Sequence, residues 1–257
     1  MGWYIESSKP MPFSNNNERM LLMFPYIPHA KCYFDRLNPE EQVAYQMLVD
    51  GIQQRAPKIS ITLRPHDLDS IKRTIAAILC DRPELFYVNL WKCRIGKGNS
   101  AAIIRFDYLH TVSETQEIQK VLYYSWKALK KKLHAHLADK EKYRIIALDI
   151  GSKVTYQKSR KDIYYTVVAP VIHSKGACEG VSKLFLYYCQ QEGIPAQIVF
   201  GTNDKRPHSW NQVWIRGQIR YIDITAIQLC PFFFRLFPGA ILMSERMIRW
   251  LGYSLFS

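Results

Sequence analysis

Three side chains in the second half of this 257-residue chain have the types and the order needed for acyl transfer: Cys178, His208 and Asp223. A thiolate is a strong nucleophile, but an ordinary thiol is mostly protonated near neutral pH and needs a base to activate it. An imidazole can take that proton, and a carboxylate can hold the imidazole in the right tautomer and orientation. Each residue alone has a plainer reading. A free cysteine is usually a small core residue. A strand-end histidine usually bonds a backbone carbonyl, and an aspartate usually lies on the surface. What joins the three is the pattern around each.

The elements that must carry them follow from periodicity. After Gly176-Ala177-Cys178-Glu179-Gly180, apolar residues fall at Val181, Leu184, Phe185, Tyr188 and Cys189, the stripe of an amphipathic helix. Gly193 and Pro195 stop it. Cys178 is therefore expected in the first helical turn, where unpaired N–H groups and the helix dipole favour an anion and lower a thiol pKa. His208-Ser209-Trp210-Asn211 opens a run rich in β-branched and aromatic residues. A second such run, Gln218 to Thr225, follows Arg216-Gly217. This predicts a hairpin with Arg216-Gly217 as its two-residue loop, pairing Ile215 with Gln218, Trp214 with Ile219 and Trp210 with Asp223. The alternation then puts His208, Trp210 and Asp223 on one face, with His208 and Asp223 as diagonal neighbours. Trp210 is expected either to wall a substrate groove or to plug the core.

With these residues in place, the segment resembles the transglutaminase-like superfamily, a papain-like cysteine fold. The likeness rests on Gly176-Ala177-Cys178-Glu179-Gly180, His208-Ser209-Trp210-Asn211, Asp223-Ile224-Thr225 and the linker Gly193-Ile194-Pro195-Ala196, and it runs from about Tyr143 to Thr225. The linker is similar to that of many bacterial members. Many bacterial members also have Trp soon after the D-x-T; here Ala226 follows. The resemblance implies an α+β fold, with a papain-like or transglutaminase-like core in which the nucleophile helix packs on an antiparallel sheet. It assigns the nucleophile to Cys178, the general base and acid to His208, and the orienting group to Asp223. It implies a peptidase, amidase or transglutaminase-type enzyme acting on protein or peptide substrates, with no metal and no cofactor. The alternative is a non-enzymatic interaction module on the same fold.

The rest of the chain frames this core. Nearly half its residues are hydrophobic, ample for a core. The expected layout is an irregular arm over 1–36, an N-terminal α/β region over 37–138 and a catalytic domain over 139–257. Asn38-Pro39-Glu40-Glu41 signals a helix start, and further helices are expected from Asp67 or Asp69, behind a Ser113–Gln116 capping box, and from Asp139. Strands are expected at 59–63, 86–92 and 101–108, the last two joined through Gly96-Lys97-Gly98-Asn99. That turn lacks the sequence of a phosphate loop. After Thr225, Phe232-Phe233-Phe234 and a helix from Ser244 to Leu251 are expected to pack back on the domain.

Six cysteines without CxxC or zinc spacing point to a reducing compartment. With no signal peptide and no membrane span to be read, the expectation is a cytoplasmic protein, an exported one being the alternative. Net charge is +13. Lys127, Lys130, Lys131 and Lys132 concentrate it on one helix, which is either a solvated face or a surface for anionic polymers. No nucleic-acid motif accompanies them.

Overall fold

A computed structural model describes residues 32–62, 68–97, 101–159, 161–229 and 238–255. The arm over 1–31, the turn at Gly98-Asn99, Cys230 and Phe232-Phe233-Phe234 lie outside the described residues. The chain divides into two compact units, Met1–Val112 and Ser113–Phe256.

The first unit holds helices α1 (Pro39–Gln53) and α2 (Leu68–Asp81) and strands β1 (Lys58–Ile61), β2 (Arg94–Lys97) and β3 (Ala102–Arg105). Asn38 and Glu41 close a full capping box on α1. The strands form an antiparallel sheet in the order β1-β3-β2. The expected strand over 86–92 is instead short 3₁₀ turns at Pro83–Leu85 and Leu90–Lys92. Asn89 accepts a hydrogen bond from the Lys92 N–H, closing the second turn, and only Val88 bridges to Tyr108. A local side-chain bond has displaced the ladder there.

The second unit runs through α3 (Val112–Lys130), α4 (Asp139–Lys153), β4 (Thr155–Tyr156), α5 (Val168–His173), β5 (Lys175–Gly176), α6 (Cys178–Gln191), β6 (Ala196–Asn203), β7 (Arg206–Ile215), β8 (Gln218–Ile222), α7 (Ile224–Leu229), α8 (Glu245–Trp250) and β9 (Tyr253–Leu255). It is α+β: helix α6 packs on an antiparallel sheet ordered β8-β7-β6-β9. The β7–β8 register is the expected one, with Ile215 opposite Gln218 and Trp214 opposite Ile219. Arg216 and Gly217 both take positive φ, the two-residue turn that matches strand twist. Ser244 caps α8 with its side chain.

Two start signals misplace a helix end. Helix α3 begins at Val112, ahead of the Ser113 box, and stops at Lys130. Ala138, rather than Asp139, takes the cap position of α4.

Helix α3 sits with the second unit because its buried face is bonded there. Ser125 Oγ lies 2.5 Å from the Tyr188 hydroxyl, and Trp126 Nε1 donates to Glu192 Oε1 at 2.7 Å. Three of the four lysines expected to concentrate charge here also have partners within the unit. Lys127 lies over the Tyr123 and Trp126 rings, and Lys130 lies over Trp126 and 3.8 Å from Glu192. Lys132 pairs with the buried Asp149 at 2.7 Å. Among the described residues no helix is long and apolar enough to cross a membrane.

Candidate active site

Cys178 is the first residue of α6, as its spacing predicts. Ala177 at the cap position has no side chain able to accept a hydrogen bond, and its own N–H is taken by the Tyr164 carbonyl at 3.0 Å. An Ala in place of Ser or Asp costs about 1 kcal/mol of helix stability. In return no cap side chain competes with an anion at this helix start. Gly180 belongs to the same device. A Cβ there would collide with the backbone oxygens of Tyr164 and Thr166, which cross the helix start.

His208 and Asp223 come from the β7–β8 hairpin and its exit. His208 Nε2 lies 2.8 Å from Asp223 Oδ2, and the imidazole is near enough to the Cys178 thiol for each to shift the other's pKa. The other oxygen, Asp223 Oδ1, accepts from Thr225 N at 2.9 Å, Thr225 Oγ1 at 2.6 Å and Ala226 N at 3.3 Å. This explains the Thr of Asp223-Ile224-Thr225: it holds the carboxylate in place. The His208 side chain is 13% exposed and that of Asp223 2%, while Cys178 is half-buried. The thiol is thus reachable and its support is closed off.

The charges follow from this chain. Burial alone would raise the Cys178 thiol, but bonding to His208, the imidazolium charge and contacts from Ser209 outweigh it and lower its pKa. Burial alone would lower His208, but its bonds to Asp223 and Cys178 raise it to about 10. Asp223 is held below the usual carboxylate value despite burial, by His208, Thr225 and Tyr253. The arrangement favours a thiolate–imidazolium pair near neutral pH. Cys189, eleven residues on (189 − 178), is fully buried, and burial drives its thiol far up.

Trp210 is in the same neighbourhood, its ring stacked 5.9 Å from that of His208. Its indole has 0% exposure and packs with Val199, Tyr221, Met243, Ile248 and Tyr253. It supports the imidazole from within the core and presents no surface to solvent. On the outer side stand two tyrosines. Tyr156 on β4 is 38% exposed and pairs in parallel with Gly176, two residues before Cys178. Tyr165 donates to the Ser159 carbonyl at 2.7 Å. Burial raises the pKa of both phenols, and the charge of Cys178 adds to it. Sequence reading did not find Tyr165 or Tyr253; neither falls in a spaced motif. Among the described residues no group of three or more His, Cys, Asp or Glu side chains could hold a metal ion.

A thiol on a helix start, with an imidazole and a buried carboxylate from an adjoining hairpin, is an arrangement that can serve nucleophilic cysteine chemistry. Residues 127–225 match the model of the transglutaminase-like superfamily. Among solved structures the chain is similar to a TGase, at 16% identity and a TM-score of 0.38, covering 65% of this chain and 50% of that one. It is also similar to a candidate cysteine protease from Cytophaga hutchinsonii, at 18% identity and a TM-score of 0.36, covering 62% and 61%. The chain thus spans between half and two thirds of each. No curated protein matches it.

Proposed function

We propose that this protein is a cysteine acyltransferase or hydrolase acting on peptide-like amides through Cys178, His208 and Asp223. The observation that carries this reading is the 2.8 Å contact of His208 with the buried Asp223, next to a Cys178 at the α6 start whose pKa His208 lowers. In this reading the Cys178 thiolate attacks the amide carbonyl carbon and the C–N bond breaks. His208 gives its proton to the departing amine, leaving a thioester on Cys178. Water or a second amine then attacks the thioester, His208 takes the proton of that nucleophile, and the thiolate is released to pair with the imidazolium again. The negative oxygen formed in each attack lies against the backbone N–H of Cys178 at the α6 start. The hydroxyl of Tyr156 on β4, whose pKa the Cys178 charge helps raise, is the second donor. Trp210 is a packing residue under His208 rather than a groove wall.

The test is intact-mass spectrometry after incubation with a panel of glutamine-containing peptides, peptide esters and reactive thioesters. The reading expects an acyl adduct on Cys178, absent in Cys178→Ala. Decay of the adduct in buffer alone marks a hydrolase, and decay only with a primary amine marks a transferase. No adduct from any donor, with Cys178 intact and reduced, would contradict the reading.

A further inference from the structure

Tyr253 has no part in the chemistry above, yet it touches every buried member of it. Its hydroxyl donates to Asp223 Oδ2 at 2.6 Å, the same oxygen that faces His208. Its ring packs edge-on to Trp210, with centroids 5.1 Å apart, and lies tilted against His208 at 6.0 Å. The residue is 7% exposed. Burial first, and then the charge of Asp223, push its pKa well up, so the phenol stays a donor.

The fold delivers this side chain by several means. Strand β9 pairs antiparallel with β6, setting Tyr253 opposite Asn203 and Leu255 opposite Gly201. Asn203 lies directly across from Tyr253 on β6 and acts to lower its pKa against the larger raising effects. Gly201 is what lets β9 come so close: a Cβ there would collide with the Ser254 carbonyl and the Trp210 indole. Helix α8 ends in a turn whose Gly252 N–H donates to the Arg249 carbonyl, and the strand begins at the next residue.

The need for such a residue is physical. A buried carboxylate is costly unless each oxygen is bonded. Thr225 and Ala226 hold Asp223 Oδ1, but Oδ2 rests on His208 and Tyr253. Without the phenol, Oδ2 would lean on the imidazole alone, and the carboxyl could turn or take up a proton more easily.

We infer that Tyr253 is a positioning residue, holding the Asp223 oxygen that orients His208 and so setting the reactivity of Cys178. This rests on the acyl-transfer reading of the three residues, and the test separates the two. Tyr253→Phe keeps the ring against Trp210 and removes only the hydroxyl. Its Cys178 alkylation by iodoacetamide is followed by mass spectrometry from acid to neutral pH, beside the native protein and His208→Ala. The acid limb should move up by about one pH unit in Tyr253→Phe, the scale of one charge-assisted bond. A merely structural role would leave that limb in place. If His208→Ala reacts as the native protein does, the acyl-transfer reading fails. If His208→Ala slows and Tyr253→Phe overlays the native profile, only the role of Tyr253 is overturned. Should Tyr253→Phe not fold, Asn203→Ala removes the side chain that β6 sets opposite Tyr253. It should move the limb the same way by less, and a native profile there overturns the inference.

Discussion

Two buried aspartates, one in each unit, respond to burial in opposite ways. Asp81, at the end of α2, accepts the Tyr33 N–H at 2.9 Å and the Phe34 N–H at 2.8 Å. It latches the chain before α1 onto α2. Burial pushes its carboxyl up to about 7, against these bonds and the charge of Arg36. Asp223 is at least as buried, yet stays below the usual carboxylate value. The difference lies in the partners. Neutral N–H donors ease a buried charge without balancing it. A histidine able to gain a proton balances it, and the pair then keeps charge ready for the thiol.

The sharpest way to break this comparison is to remove each carboxylate. Asp223→Ala should cut turnover of an acyl donor by roughly 10²–10⁴-fold, since general acid–base assistance from an oriented His208 is lost. Asp81→Ala should leave Cys178 alkylation unchanged and lower the stability of the first unit. Equal loss of reactivity in both variants would erase the distinction drawn here.

Next in size is Trp210→Ala, which removes the largest fully buried side chain. Denaturant unfolding should show a loss of about 3–5 kcal/mol. A variant of native stability that is slow on its substrate would make Trp210 a groove residue after all.

Tyr156→Phe should lower turnover by roughly 10²-fold, the usual scale for one oxyanion donor, with stability unchanged. An unchanged rate would leave the Cys178 N–H as the only donor in the reading.

The smallest effect is in pH and stability. Asp81 is raised in the folded state, so its contribution is full in acid, below the usual carboxylate pKa, and is lost as pH rises through about 7. Asp223 is depressed, so its contribution is present above the usual carboxylate pKa and lost as pH falls through its folded value. Denaturation midpoints of Asp81→Asn should be flatter than those of the native protein between acid and neutral pH. Parallel curves would mean that Asp81 is ionised throughout.

Much of the site was legible because local rules carry it. The stripe from Val181 to Cys189 fixed the helix and hence the position of Cys178. The Arg216-Gly217 turn fixed the register that brings His208 toward Asp223. The rest depends on contacts distant in sequence. Tyr253 reaches Asp223 only because β9 returns to pair with β6, and nothing in the three residues of that strand announces the pairing. The core position of Trp210 was open because alternation gives a face and not what covers it; α8 and β9 cover it here. The 86–92 segment has the composition of a strand, but the Asn89 side chain closes a turn instead. Periodicity likewise does not show that Glu192 lies near Lys130 or that Asp149 pairs with Lys132.

The central claim is that His208, held by Asp223, makes Cys178 a nucleophile. The most direct measurement is the pH dependence of alkylation at each cysteine, resolved by peptide mass spectrometry, in the native protein and in His208→Ala. The account predicts that Cys178 reaches its half-maximal rate below the usual thiol pKa, that Cys189 stays unreactive while the chain is folded, and that His208→Ala moves Cys178 back up. A Cys178 profile that matches an ordinary thiol, or one that His208→Ala leaves unchanged, would contradict it.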